Sequence, residues 1–288
     1  MGVVFQAGLG NPIAPAATRW CDPSVTSPSD PPGDRVQITG DVVRRPAHAW
    51  TPTVHAFLRH LRSAGLECVP EPLGIEGDIE TLSYLPGASG REGWFAQHSS
   101  EGLASAARLL GEIHDASVDW MPPPDARWAA PPVPGDDLVM CHGDPGPWNF
   151  VWDGNAAVGL IDWDFLHPAP RADDVAYALR WFAPARSDEH ALEWHHFPVV
   201  PDRAARIQAF LTAYGEPPGP QPGVHHADDW HARDWVEAIA ARIEATVAIA
   251  TALAHDGVEP QRTWLEAGDL DIELDDARWV REHRHLLE

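Results

Sequence analysis

Apolar and polar positions change period partway along this 288-residue chain, and the change divides it into two parts. From Arg35, Val36 and Ile38 are followed by Val42-Val43 across Gly40-Asp41, which predicts two short strands joined by a tight hairpin turn. Thr51-Pro52 then opens a helix, and Glu80 to Leu85 reads as a returning strand ended by Pro86-Gly87. Residues 35–86 therefore form a small β-rich lobe. From about Ser100 to Val118 the spacing lengthens to three and four, with Leu103, Leu110 and Ile113 on one helical face. Met121 to Gly135 is a proline-rich connector, Leu138 to Cys141 a buried strand, and Phe150 to Ile161 a second hairpin turning at Asp153-Gly154-Asn155. Helical periodicity returns over Ala172–Phe182, Asp202–Tyr214, Asp229–Ala254 and Asp275–Leu287. The expected class is α+β, with a larger, mainly helical second lobe over residues 87–288. Residues 1–34, rich in Pro, Ser and Ala without a period, read as an irregular arm.

The second hairpin carries the chemistry. Its turn lies midway between Asn149 and Asp162, so pairing the strands brings an amide and a carboxylate together. Two such oxygen ligands suit a hard cation such as Mg²⁺, which leaves its other positions to water and phosphates. Asp144, five residues before Asn149 on the same loop, is placed to accept a proton from an incoming hydroxyl. His142 reads as a loop brace. Asp164 is equally a second metal contact or a cap, and Trp148 is a candidate for lining a substrate cleft.

His142-Gly143-Asp144 with four residues to Asn149, then Ile161-Asp162-Trp163-Asp164 and Asp174-Val175-Ala176, resembles the aminoglycoside phosphotransferase and choline kinase group. Similarity extends upstream to Val42-Val43-Arg44-Arg45-Pro46, Leu82-Ser83-Tyr84-Leu85-Pro86-Gly87 and Gly111-Glu112-Ile113-His114, covering most of residues 36–182. The resemblance implies a two-lobed protein-kinase-like fold. It also implies an enzyme using ATP or GTP and Mg²⁺ to phosphorylate a hydroxyl of a small molecule, such as an antibiotic, a choline-like amine or a sugar. By resemblance Asp144 is the catalytic base, Asn149 and Asp162 hold magnesium, Ser83, Tyr84 and Leu85 form the hinge that meets the base, and Asp174 braces the loop.

Two departures concern the nucleotide phosphates. The chain has no lysine, so Arg44 stands where the family's strand lysine is expected; Arg45, on the opposite strand face, is the alternative. The following helix offers His55 but no glutamate as a partner. No glycine-rich loop precedes the strand, where Ser27 to Gly33 carries prolines that lack backbone donors. These departures motivate a second reading, a nucleotide-poor binding or immunity protein. A metal-dependent phosphoester hydrolase is a third, short of ligands. The absence of lysine excludes P-loop and lysine-bound pyridoxal chemistry.

Composition adds exclusions. With 20 basic against 43 acidic residues the formal charge is −23, which argues against a nucleic-acid partner. It is compatible with a cationic acceptor, although a solvated acidic surface is the plainer explanation. Three dispersed cysteines suit reduced thiols and a cytoplasmic location, with Cys141 packing as a small hydrophobe. Neither a signal peptide nor a membrane span is indicated.

Overall fold

The computed structural model describes residues 36–135, 138–215, 230 and 232–288. The arm, the Ser27–Gly33 stretch, His225-His226 and most of the Gly215–Gly223 proline cluster lie outside them.

The first lobe is one antiparallel sheet in the order β1-β2-β4-β3, formed by β1 (Gln37–Thr39), β2 (Val42–Pro46), β3 (Pro72–Glu76) and β4 (Ile79–Ser83). Gly40, at φ 58°, supplies the left-handed residue that the two-residue turn between β1 and β2 requires. Strand β3 is an addition to the sequence reading, because Pro72 and Gly74 interrupt its alternation, and the ladder shifts register between those two residues. Helix α1 (Thr51–Ser63) carries Pro at its first turn and buries Val54, Phe57, Leu58 and Leu61.

The second lobe begins with the short α2 (Gly90–Gly93) and α3 (Ser100–Ser117), whose N-cap Ser99 accepts from the Gly102 N–H. Two strand pairs follow. Strand β5 (Leu138–Cys141) pairs with β8 (His167–Pro170), and β6 (Phe150–Asp153) pairs with β7 (Ala156–Leu160), both antiparallel. The remainder is helical: α4 (Arg171–Phe182), α5 (Asp188–Glu193), α6 (Arg203–Tyr214), α7 (Trp235–His255), α8 (Gln261–Ala267) and α9 (Asp269–Glu282). The last helix begins six residues earlier than its periodicity suggests, directly after Gly268, whose φ of 78° separates it from α8. Strand β8 escaped notice because its sequence, His-Pro-Ala-Pro, lacks the residues that favour strands; its two prolines are half-buried while His167 and Ala169 are buried.

The fold is the expected small sheet lobe and mainly helical lobe. A continuous core crosses between them, since α1 buries Phe57 against Trp163 (ring centroids 5.6 Å apart), two residues beyond the second hairpin. Rings of that size contribute on the order of 2–3 kcal/mol each when withdrawn from water, so the helix of the small lobe is anchored on the loop that carries the site. Among the described residues no helix is long and apolar enough to cross a membrane.

Candidate active site

The β6–β7 hairpin sets the register that the sequence implies. Phe150 pairs with Leu160, and the Ile161 N–H donates to Asn149 O at 2.8 Å, which puts Asp162 one residue past the pairing partner of Asn149. Asp162 adopts a left-handed backbone, φ 65° and ψ 65°, a conformation aspartate tolerates better than most side chains. Its side chain is about half exposed (48 %).

Asp144 sits on the loop between β5 and β6 and is held from several sides. The Tyr177 hydroxyl donates to Oδ1 at 2.5 Å, and the Asn149 amide nitrogen donates both to Oδ2 (2.9 Å) and to the Asp144 carbonyl (2.8 Å). The Trp148 indole N–H makes a longer contact with Oδ2, 3.4 Å. Burial pushes the Asp144 carboxyl up to about 7, the negative charge of Asp162 adds to the rise, and the three donors only partly offset it.

The loop itself is hung from Asp174 on α4. That carboxylate accepts from the His142 and Gly143 N–H groups at 2.5 and 2.8 Å and from His114 Nε2 at 3.1 Å. Gly143 has φ 86°, and a Cβ there would stand 2.4 Å from the Phe165 carbonyl oxygen, so no other residue fits. His142 is fully buried; its Nδ1 accepts from the Asp144 N–H at 3.2 Å, which leaves Nε2 to donate to Ile161 O at 2.9 Å. Burial lowers the imidazole's proton affinity, so it stays neutral and joins the loop to the end of β7 as a brace.

Arg44 does not reach this site. Strand alternation exposes it, whereas Arg45 turns inward. Arg45 bonds Glu80 through Nε at 2.6 Å, Asp162 through Nη1 at 2.6 Å and Asp164 through Nη2 at 3.1 Å. The arginine that reaches Asp162 and Asp164 is therefore Arg45, one residue beyond the expected Arg44. The missing helical glutamate is replaced by Glu80, the direct cross-strand neighbour of Arg45 on β4, with Oε2 of Glu80 bound to His55 Nε2 on α1 at 2.8 Å. A sheet carboxylate thus links the arginine to the helix. Arg45→Ala should lower stability by about 2 kcal/mol by leaving the buried Glu80 with His55 alone, while Arg44→Ala should change it by less than about 0.5 kcal/mol. Thermal unfolding of the two variants side by side checks this, and equal shifts would contradict the placement.

Ser83 ends β4 and Tyr84 and Leu85 follow it, so the strand expected to run to Leu85 stops two residues earlier. The N–H groups of Ser83 and Tyr84 are taken by Glu71 O and Asp41 O, both at 2.9 Å, so a backbone donor to a base would have to come from Leu85.

Beside Asp144 opens a cleft of about 590 Å³, its mouth included, between the loop, α4, α7 and α8. Trp148 lines it, as the sequence suggested, together with Tyr177 and Arg242, which it did not. Tyr177 follows Asp174 by three residues and so shares its helix face, a signal within reach of the helix expected there. Arg242, which donates from Nη2 to Gly143 O at 2.8 Å across 99 residues of chain, left none. His114, Cys141 and Asp174 also lie close together, but hydrogen bonds already account for His114 and Asp174.

A sheet lobe packed on a helical lobe, with a loop aspartate, an adjacent asparagine and a left-handed aspartate converging between them, defines a kinase-like phosphotransferase class. The family model "Phosphotransferase enzyme family" matches residues 34–133 and 125–223, and the chain belongs to that family. A relative from Rhizobium leguminosarum bv. trifolii, the trifolitoxin immunity protein, is 32 % identical over 192 residues, 64 % of this chain and 72 % of that one. Among solved structures, a Ralstonia eutropha protein classed as an aminoglycoside phosphotransferase superposes with TM-score 0.53 at 13 % identity, covering 93 % of this chain and 97 % of that one. The amicoumacin kinase hAmiN gives TM-score 0.53 at 14 % identity over 88 % of each chain. At such identities the structural likeness concerns the fold.

Proposed function

We propose that this protein transfers the γ-phosphoryl group of ATP to a hydroxyl of a small molecule. The observation that carries the proposal is the Asp144 carboxylate, which is fixed by Tyr177 and Asn149 and faces a cleft lined with aromatic rings. As the new P–O bond forms, the acceptor's O–H proton passes to Asp144 and the leaving oxygen remains with ADP. Tyr177 and Asn149 hold the carboxylate in one orientation, so little reorganisation is needed at the moment of transfer.

The residues fit a divalent cation. The Asn149 amide nitrogen faces Asp144, which turns its Oδ1 the other way, and Asp162 is half exposed with only Oδ1 bound by Arg45. Asn149 and Asp162 would hold Mg²⁺, which when bound neutralises phosphate charge. Arg45, bonded to Asp162, would support the phosphates beside it. The hAmiN structure, solved with AMP-PNP and Ca²⁺, supports nucleotide and divalent metal use in this fold.

A second reading, a binding or immunity protein of weak or no catalysis, draws on one feature in particular: three carboxylates already engage Arg45. The relative bearing an immunity name accords with it. Calorimetry with Mg–ATP separates the two. Affinity from micromolar to low millimolar, with ADP release on adding an acceptor, is the expected result; no heat at millimolar nucleotide favours the binding protein.

A further inference from the structure

We propose that the acceptor is an uncharged molecule carrying its hydroxyl on a flat, largely apolar body, and that the cleft disfavours polycationic amino sugars and quaternary amines. This rests on the phosphotransferase reading and names the substrate class of the same site.

The chain's acidity suggests a cationic ligand, but the cleft does not share it. Among the described residues Asp144 is its only lining carboxylate, and the only other ionic group on its wall is Arg242, a cation paired with Asp173 at 2.9 Å. An amino sugar would bring several ammonium groups into a cavity with no carboxylate to spare. Desolvating a charge without a partner costs several kcal/mol.

The aromatic rings are not vacant cation sites either. Arg242 lies 5.0 Å from the centroid of Tyr177, and Arg180 and Arg186 lie 4.7 and 4.8 Å from that of Trp181. Trp148 is stacked on Trp94, with 5.8 Å between centroids and 14° between planes. The attraction that Tyr177 and Trp181 offer to positive charge is already met by guanidinium groups, which would repel a further cation, while a face of Trp148 is covered by the Trp94 ring.

What remains fits a neutral ligand. Trp148, Phe165, Trp181, Ile249 and Trp264 form apolar walls of the kind that line small-molecule sites. Gln261, also on the lining, is 7 % exposed, and its buried Oε1 has no hydrogen-bond partner. A carbonyl oxygen in that state calls for a neutral donor on the ligand, a second hydroxyl or an amide N–H.

The test is equilibrium binding without nucleotide, read by tryptophan fluorescence and calorimetry on the full chain, with naphthylmethanol, choline and neomycin as probes. Naphthylmethanol should bind most tightly, and Trp264→Ala should weaken it by about tenfold through lost ring contact. Ile249→Asp should reverse the order by adding a wall carboxylate. Trp264→Ala keeps the test decisive if Ile249→Asp does not fold. Tighter binding of choline or neomycin than of naphthylmethanol to the unaltered protein, or no effect of Trp264→Ala, overturns the proposal. Because no ATP is present, a failure of Mg–ATP to bind would sink the phosphotransferase reading while leaving this ranking of probes intact.

Discussion

Asp144→Asn should reduce phosphoryl transfer by roughly a hundredfold or more without unfolding the protein, the range expected when a general base is removed. The amide matches the carboxylate in shape and can still accept from Tyr177, but its nitrogen then meets the Asn149 amide nitrogen, donor against donor, so Asp144→Ala belongs in the same experiment. The pH profile supplies a second readout. Burial holds the Asp144 carboxyl up at about 7, and a base works only when ionised, so the wild-type rate should climb as pH rises through about 7 and level off above it. Stability should move the other way. The folded value lies above the ordinary 3.8, so the native state favours the protonated form; that contribution is complete below about 3.8 and is lost as pH rises through about 7. As pH rises through neutrality the Asp144→Asn protein should therefore lose less stability than wild type while being nearly inactive. ADP release measured from pH 5.5 to about 9 beside thermal unfolding at the same pH values tests both halves. Undiminished turnover in Asp144→Asn would remove this residue from the chemistry.

The parts of this molecule that could be read from sequence are those governed by local rules. The β6–β7 hairpin was legible because its turn sits midway between Asn149 and Asp162, and strand pairing has a fixed geometry. The same holds for α3, α4 and α6, whose apolar positions repeat at helical spacing, α3 and α6 also carrying capping side chains at their starts, Ser99 and Asp202. Strands β3 and β8 were hidden because proline and glycine occupy positions where the ladder tolerates them only through edges and register shifts. Nothing local in those segments distinguishes a strand from a loop.

The arginine placement shows where position matching runs out. Arg44 and Arg45 are indistinguishable in type, and only the pairing of β2 with β4, which sets Arg45 opposite Glu80, decides which of them reaches Asp162 and Asp164. Glu80 was overlooked for a related reason: its partnership with Arg45 spans 35 residues and depends on sheet order, which a single strand does not reveal. The acceptor side was harder still. Its walls come from the loop, α4, α7 and α8, so the absence of any lining carboxylate beyond Asp144 among the described residues becomes visible only when four separated segments are assembled. Net charge, an average over the surface, pointed away from that result.

Asp174→Ala should cost more stability than any other single change at the site, about 3–5 kcal/mol, with loss of activity. The carboxylate is wholly buried and serves three donors, His142 N–H, Gly143 N–H and His114 Nε2. Truncation would leave two backbone N–H groups inside the protein without acceptors, at the two residues that set the direction of Asp144. Burial by itself would raise the Asp174 carboxyl, but the hydrogen bond and charge of His114, with His142 and the Gly143 N–H, outweigh it and hold the group down at about 2. The sign follows from that depression. Asp174 stabilises the fold fully above its ordinary 3.8, and the contribution is lost as pH falls through about 2. His142, kept neutral by burial, gains a proton more readily once unfolded and adds to the loss in acid. At neutral pH the alanine variant should unfold about 10 °C below wild type for a chain of this size. Asp174→Asn, which retains one acceptor oxygen, should fall between the two. The acid-induced loss of stability seen in wild type should also be blunted in Asp174→Ala, because the group whose ionisation drives part of it is gone. Unfolding of Asp174→Ala at the wild-type temperature would mean that the loop carrying Asp144 is held by contacts other than this carboxylate.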